Sequence, residues 1–333
     1  MPFKICLAGC GAISEAQHGP SILKYVQLHD DTVFAACCDI IEEKARIYHN
    51  KFNTSRYYTN LSEMLDTEKP DAVCLICPEN KTAELSCFIM EKGYPLLLEK
   101  PPGLNADETR RMISVAHNNN ALNQVAFNRR FVPLVQKMIE KINNFGGCKE
   151  ITDLHYRMLR VDRRDINFAT TAIHGIDLVR YIAGADYKQI KFTYKELSQY
   201  GDSVANIHLN GLMSSGIVVH MDFLPMSGVV TERLEVNTTN GIFFVELPVW
   251  KEGLDMPGRI THYINNECVF TTTGEEIAGC TEEYMLNGFY HENKSFFDNI
   301  RNKRIPADDI ASDLQGVEIS DCIYNREALY EHY

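Results

Sequence analysis

The sequence predicts an α/β protein in which an N-terminal Rossmann domain, a doubly wound parallel sheet, is joined to a C-terminal α+β domain built on a large, mostly antiparallel sheet. Three observations carry this. Over the first third, short apolar runs without strict alternation are separated by amphipathic helical stretches, as a parallel sheet covered on both faces requires. From Gln189 onward, strand-like stretches follow one another through short turns with no helix between them, so they should pair antiparallel. The 333 residues exceed a single ordinary core, and two domains are placed at 1–123 and 124–333.

The elements follow in order. Phe3–Ala8 is an apolar run ending in glycines, a first strand. A helical stretch leads to Thr32–Cys38, a second buried strand closed by Asp39. Glu42–Phe52 reads as helix, Thr54–Tyr58 as a short extended piece, and Leu61–Leu65 opens another helix. Val73–Cys77, Pro95–Leu98 and Leu122–Phe127 are strands, with helices at Ala83–Lys92 and Ala106–Asn118 between them. In the second domain Phe131–Lys141 and Thr171–Ile182 are helical, and Glu150–Leu159 alternates as a strand. Ile190–Tyr194, Val204–Leu209, Gly216–Phe223, Thr231–Asn237, Gly241–Leu247 and Cys268–Thr272 supply the sheet, and helices around Asn287–Asn302 and Ala307–Tyr330 close the chain. A ligand is expected in the cleft between the domains.

Composition narrows the function. Hydrophobic residues at 45% and charged residues at 23% are the balance of a soluble globular protein. A net charge of −12 would be repelled by phosphate backbones, which argues against nucleic acid as a partner. The one dense basic stretch, Arg157–Arg164, is broken by Asp162 and followed by Asp165, and reads as a solvated or substrate-facing loop. No apolar run approaches the roughly 20 residues that span a bilayer, and Met1–Ala8 enters a strand at once with no secretory h-region, so a cytoplasmic address and no membrane partner are expected. The 11 cysteines are an odd number scattered through apolar segments, unlike a disulfide framework. Cys74 and Cys77 form a CxxC, but strand alternation sends their side chains to opposite faces, and no second pair completes a metal site. Buried thiols and no metal are expected.

The loop Gly9-Cys10-Gly11-Ala12-Ile13-Ser14 is the first candidate site. A bare GxG carries little information. Its context carries more, because these glycines end the first strand and open a helix, where a tight turn lets a pyrophosphate approach helix N–H groups. Ser14 stands where the fingerprint has its third glycine. Asp39, after the second strand, is placed to accept the ribose hydroxyls of NAD and to repel the 2′-phosphate of NADP, and it could equally cap the following helix. NAD is therefore expected over NADP.

Glu99-Lys100-Pro101 lies at the carboxyl edge of a predicted strand, where open α/β sheets place their chemistry. Partial burial and a nearby nicotinamide ring would favour neutral Lys100 as a base. Thr170, His174 and Asp177 share one helix face. His174 is expected in or near the first turn, where the helix dipole disfavours imidazolium. The plainer readings stay open: a surface lysine, a helix-capping Thr170 or Thr171, and a core histidine.

Taken together, these motifs resemble the Gfo/Idh/MocA family, the glucose–fructose oxidoreductases and inositol dehydrogenases. The resemblance rests on Gly9–Ser14, Asp39, the strand end Asp71–Pro78, Glu99-Lys100-Pro101, Phe127-Asn128-Arg129-Arg130-Phe131, His174–Asp177 with Arg180-Tyr181, and Gly288–Ile300. It implies an NAD-dependent enzyme oxidising a secondary hydroxyl of a sugar, sugar derivative or cyclitol, a homodimer or homotetramer formed through the C-terminal sheet. Lys100 would be the catalytic lysine and His174 the acid/base. Cofactor contacts would come from Gly9, Cys10, Gly11, Ala12, Ile13, Ser14, Asp39, Cys77, Pro78, Glu99, Lys100 and Asn128. Substrate contacts would come from Lys100, Asn128, Tyr156, Arg157, Thr170, His174 and Asp177, with Arg160, Arg163, Asp165, Asn167 and Tyr290 as further candidates to line the pocket. Two positions depart from the pattern: Thr170, where Asp is common, and Thr82, where His is common. The first departure leaves room for an NAD-using enzyme with no net redox, acting through a transient keto intermediate. A non-catalytic nicotinamide sensor is the third reading.

Overall fold

The computed structural model describes residues 2–249 and 253–332. The chain divides into two compact units, Met1–Phe127 with Phe289–Leu314, and Asn128–Gly288 with Gln315–Tyr333. The division read from the sequence at 123/124 differs in one respect that matters. Phe289–Leu314 returns to the first unit instead of staying with the second. Its helix α10 (Phe289–Arg301) packs on α1 (Gly19–Leu28), with Phe297 against Tyr25 (ring centroids 4.9 Å apart) and Phe3 (6.4 Å). Amphipathicity shows that a helix has an apolar face, not which sheet that face covers.

The first unit holds a six-stranded sheet, all parallel: β1 (Phe3–Ala8), β2 (Thr32–Cys38), β3 (Arg56–Tyr58), β4 (Ala72–Leu75), β5 (Leu96–Glu99) and β6 (Asn123–Ala126), in the order β3-β2-β1-β4-β5-β6. Ile5–Leu7, Ala35–Cys37, Ala72–Leu75 and Leu96–Leu98 are buried without alternation, because helices cover both faces. The connections are α1, α2 (Glu42–Phe52), α3 (Leu61–Glu68), α4 (Glu79–Glu91) and α5 (Ala106–Asn118). α4 begins four residues before the expected Ala83, since the polar first turn after Pro78 hides from a hydrophobic pattern. The strand order reverses between β1 and β4, which makes their carboxyl ends the topological switch point of the sheet.

The second unit starts with a single 3₁₀ turn, Asn128–Phe131, and α6 (Pro133–Asn144). Its nine-stranded sheet comprises β7 (Ile151–Leu159), β8 (Tyr187–Glu196), β9 (Ala205–Met213), β10 (Val218–Leu224), β11 (Thr231–Thr238), β12 (Gly241–Glu246), β13 (Arg259–Ile264), β14 (Glu267–Thr273) and β15 (Leu329–Glu331), in the order β14-β13-β12-β11-β7-β10-β9-β8-β15. Seven of the ladders are antiparallel, and β7 with β10 is parallel. Side chains of one face, such as Leu154, Tyr156, Met158, Leu209, Met221 and Phe243, join a core with α6, α7 (Ala169–Ala183) and α11 (Leu314–Tyr324). Short helices α8 (Gly274–Ala278) and α9 (Glu283–Leu286) follow β14. Two strands escaped the sequence reading. In β13 the inward position is His262, stacked on Phe243 at 3.9 Å, so the apolar alternation is broken. β15 lies in a stretch read as one helix to Tyr330; α11 stops at Tyr324 and Arg326 takes a left-handed φ of 57°.

Candidate functional site

At the switch point, β1 ends in Gly9 at φ 100°. A Cβ there would stand 1.8 Å from the Ile76 carbonyl oxygen, so only glycine lets the β1 and β4 loops pass this closely. Gly11 differs: no atom lies within 4 Å of the place its Cβ would take. The first is a steric necessity of the turn, and the second leaves exposed backbone that a ligand can approach. The chain then becomes helical from Ala12, passes through a π-helical turn at Ser14–His18 and continues as α1. The first-turn N–H groups of such a helix have no intrahelical acceptor, which suits an anion.

Ser14 is fully buried and donates from Oγ to Tyr48 Oη on α2 at 3.1 Å. A different close approach, of α1 to α2, is made at Gly19, where a Cβ would lie 2.5 Å from Phe52 Cζ. Sequence reading missed Gly19 because it falls outside the six-residue fingerprint.

Asp39 lies beside the loop. Its Oδ2 accepts the Cys10 N–H at 2.9 Å and its Oδ1 the Ile41 N–H at 2.9 Å. The N-cap of α2 is Ile41 itself, so Asp39 ties the glycine loop to β2 and makes a turn instead of capping. A carboxylate has further lone pairs beyond these two bonds, and Asp39 is half-buried. Cys10 is buried, its thiol directed at the Cys38 carbonyl (3.7 Å). Ala12, Ile13 and Pro78 are exposed, and Cys77 is half-buried with Sγ 3.7 Å from Thr82 Oγ1. Both Cys74 and Cys77 are free thiols. No group of three or more His, Cys, Asp or Glu among the described residues could hold a metal ion, and no described helix is long and apolar enough to cross a membrane.

The ends of β1, β4 and β5 are neighbours, so Gly9–Ser14, Asp39, Cys77-Pro78 and Glu99-Lys100 share one edge of the sheet. Lys100 is half-buried and its peptide bond to Pro101 is cis. Glu99 accepts the Lys100 N–H at 3.2 Å and lies 2.9 Å from His18 Nε2. Burial opposes ionisation of Glu99, but the His18 side chain and the Lys100 charge hold its carboxyl below the usual range. Tyr290, on α10, is buried.

In the second unit the expected substrate residues separate into scaffold and candidates. Asn128 is 1% exposed; its Nδ2 donates to the Asn287 carbonyl (2.8 Å) and its Oδ1 accepts from Arg129 (2.9 Å). Both ends of the amide are thus engaged inside the fold, which differs from the expected ligand contact. Asp177 is also buried, in a forked ion pair with Arg130 (Nε to Oδ2 2.9 Å). Tyr156 is fully buried and donates to Glu232 Oε2 at 2.8 Å, so it does not line an open pocket. Arg157, one residue on, stands on the opposite, exposed face of β7, 3.4 Å from Asp222. The Arg157–Arg164 stretch is therefore not one loop: Arg160 is buried in an ion pair with Glu232, while Arg163 pairs with Asp165 (2.8 Å) and Arg164 with Asp162 (2.7 Å). Asn167 accepts the Ala169 N–H at 3.0 Å at the start of α7.

α7 begins at Ala169, so neither Thr170 nor Thr171 caps it. Thr170 donates to the Asn167 carbonyl at 3.0 Å. His174 lies in the second turn, 8% exposed, beyond the reach of a dipole effect that fades within the first turn. Gly175 is required by packing, since a Cβ would stand 2.2 Å from Tyr156 Cε1. Of His174–Asp177, packing accounts for Gly175 and ion pairing for Asp177.

Residues 3–127 match the Gfo/Idh/MocA family, an oxidoreductase family with an NAD-binding Rossmann fold. The chain is 25% identical over 159 residues to D-glucoside 3-dehydrogenase of Escherichia coli, covering 48% of this chain and 44% of that protein. It is 25% identical over 193 residues to myo-inositol 2-dehydrogenase of Thermotoga maritima, covering 54% and 56%. The chain thus matches about half the length of these curated relatives. In fold it is similar over 98% of its length to a dehydrogenase from Chromobacterium violaceum, of which 95% is covered, with a TM-score of 0.81 at 21% identity.

Proposed function

We propose, for a chain whose residues 3–127 match the Gfo/Idh/MocA oxidoreductases, that it oxidises a secondary hydroxyl of a sugar, sugar derivative or cyclitol with NAD as hydride acceptor. The observation that carries this reading is the glycine turn at the switch point. Gly9 packs against the Ile76 carbonyl, and Gly11 leaves open space in front of a helix N-terminus, which is the shape a dinucleotide pyrophosphate needs. Asp39, half-buried beside that turn, favours ribose hydroxyls over a 2′-phosphate by charge alone.

NAD, when bound by Gly9–Ser14, Asp39 and Cys77-Pro78, supplies the hydride acceptor. The protein's own residues handle the proton. Of the residues the sequence motifs mark, we assign it to Lys100 and His174, since Thr170 does not titrate and the Asp177 carboxylate is held by Arg130. With no carboxylate at position 170, Lys100 carries the larger share.

A screen of NAD reduction across sugars, sugar acids and inositols tests the reaction. Lys100→Met is expected to lower kcat by a factor of about 10² or more on whichever substrate responds. Near-normal turnover by that variant would remove Lys100 from the mechanism. Product without NADH accumulation would replace net oxidation by a transient one. Tighter binding of NADP than of NAD would overturn the role given to Asp39.

A further inference from the structure

His18 is fully buried at the end of the π-helical turn that follows the glycine loop. Its Nε2 faces Glu99 Oε1 at 2.9 Å, and its Nδ1 faces the side-chain amide of Asn293 on α10, with Nδ2 at 3.1 Å and Oδ1 farther away at 3.4 Å. Asn293 is itself fully buried and donates from Nδ2 to the Phe289 carbonyl at 2.8 Å. That bond fixes which way the amide points, because turning it over would set Oδ1 against another carbonyl oxygen. An amide nitrogen carries two hydrogens. One goes to Phe289 and the other is aimed at His18 Nδ1, so Nδ1 accepts and the ring proton resides on Nε2, where it is donated to Glu99. The Phe289 ring stands edge-on to the imidazole, centroids 5.4 Å apart at 80°, and holds its plane.

We propose that Asn293 and His18 are positioning residues: Asn293 confines His18 to the neutral Nε2–H tautomer, and His18 thereby holds Glu99 as an ionised carboxylate at the head of Lys100. The consequence for catalysis rests on the reading of Lys100 as the proton-handling lysine; the tautomer itself does not. A neutral donor leaves the Glu99 charge standing. An imidazolium would cancel it. Among the described residues, the titratable groups facing Glu99 are His18, Lys100 and Cys77, whose thiol is pushed up by burial and by the Glu99 charge. The His18 hydrogen bond, with that of the Lys100 N–H, offsets the cost of burying the carboxylate.

The test begins on the protein without substrate or cofactor. With ¹⁵N-labelled histidine, His18 is expected to show a protonated Nε2 and an unprotonated Nδ1. In Asn293→Asp, whose carboxylate accepts instead of donating, both ring nitrogens are expected to carry protons. A doubly protonated or Nδ1–H ring in the unaltered protein would overturn the proposal. The second arm is kinetic. His18→Leu removes the donor, so Glu99 should titrate upward and kcat/KM should acquire an acid limb, falling about tenfold for each pH unit below the new value. His18→Gln, which keeps an N–H toward Glu99, should restore the unaltered profile. A folded His18→Leu protein with an unchanged pH profile would also overturn it. If Lys100→Met keeps its turnover while the His18 tautomer is as described, the reading of Lys100 falls and the relay stands.

Discussion

In the β1–β6 sheet, strand interiors such as Ile5–Leu7, Ala72–Leu75 and Leu96–Leu98 are apolar on both faces, and Asp39, Glu99 and Lys100 gather where the strands stop. In the nine-stranded sheet, by contrast, charge runs along the strands themselves. Glu232 on β11 is completely buried between Arg129 and Arg160 (Arg129 Nη2 to Oε1 2.9 Å), with the Tyr156 hydroxyl as a third donor. The alternate residues of the other face carry His155, His208, Asp222 and Arg157. A sheet covered on both sides confines its chemistry to its ends. A sheet with one core face can use the other, and can afford a polar knot near a strand end if every member is paired.

The largest effect should come from untying that knot. Burial pushes the Glu232 carboxyl up, but the two guanidiniums outweigh it and hold it down to about 2. Glu232→Gln removes the carboxylate charge that two buried cations share and should cost about 3–5 kcal/mol, read as a lower midpoint of urea unfolding. An unchanged midpoint would mean that the second sheet tolerates uncompensated charge, and the contrast with the first would lose its basis.

In the first sheet the sensitive atoms are backbone. Gly9→Ala combines a φ of 100° with a Cβ 1.8 Å from the Ile76 oxygen, so the turn must move, at a cost of about 1–3 kcal/mol. NAD affinity should fall at least in step. Gly11→Ala meets no protein atom within 4 Å; its melting temperature should stay put while NAD binding weakens. Equal loss of stability in both variants would erase the distinction between a glycine the turn requires and one a ligand requires.

The difference between the sheets also decides how much was legible beforehand. β2, α2 and α5 match the sequence reading to the residue: Asp39 closes β2, and the structure adds a local cap to α5, with Asn105 accepting the Glu108 N–H. The edge residues Gly9–Ser14, Asp39 and Glu99-Lys100 followed from strand–turn–helix context, and the fold places them together. What resisted was anything settled by long-range pairing. Asn128, Tyr156 and Asp177 look like ligand contacts in a motif, yet their partners are Asn287, Glu232 and Arg130, between 47 and 159 residues away. His18 gave no signal because its partners are 81 and 275 residues distant.

The smallest effect is expected on the polar face of the second sheet, and its sign can be worked out. Asp222 accepts from His155 Nε2 at 3.2 Å and from His208 Nδ1 at 2.6 Å, and these bonds hold its carboxyl at about 2, below its ordinary 3.8. Its share of stability is complete above about pH 4 and is lost as pH falls toward 2. His155 is raised above its ordinary 6.5 by the same bond, so its share is complete below 6.5 and is lost as pH rises through the raised value. The difference in stability between the protein and Asp222→Asn should therefore peak between about pH 4 and 6.5 and shrink on either side. Asp222 is 23% exposed, His155 34% and His208 39%, so solvent screens the cluster and the peak should be about 1 kcal/mol. It should fall further in 1 M salt, where the Debye length is about 3 Å. A difference that stays flat with pH would show that these histidines pack on the face without charging there. The polar face would then be neutral scaffold, and the two sheets would differ in hydrogen bonding alone.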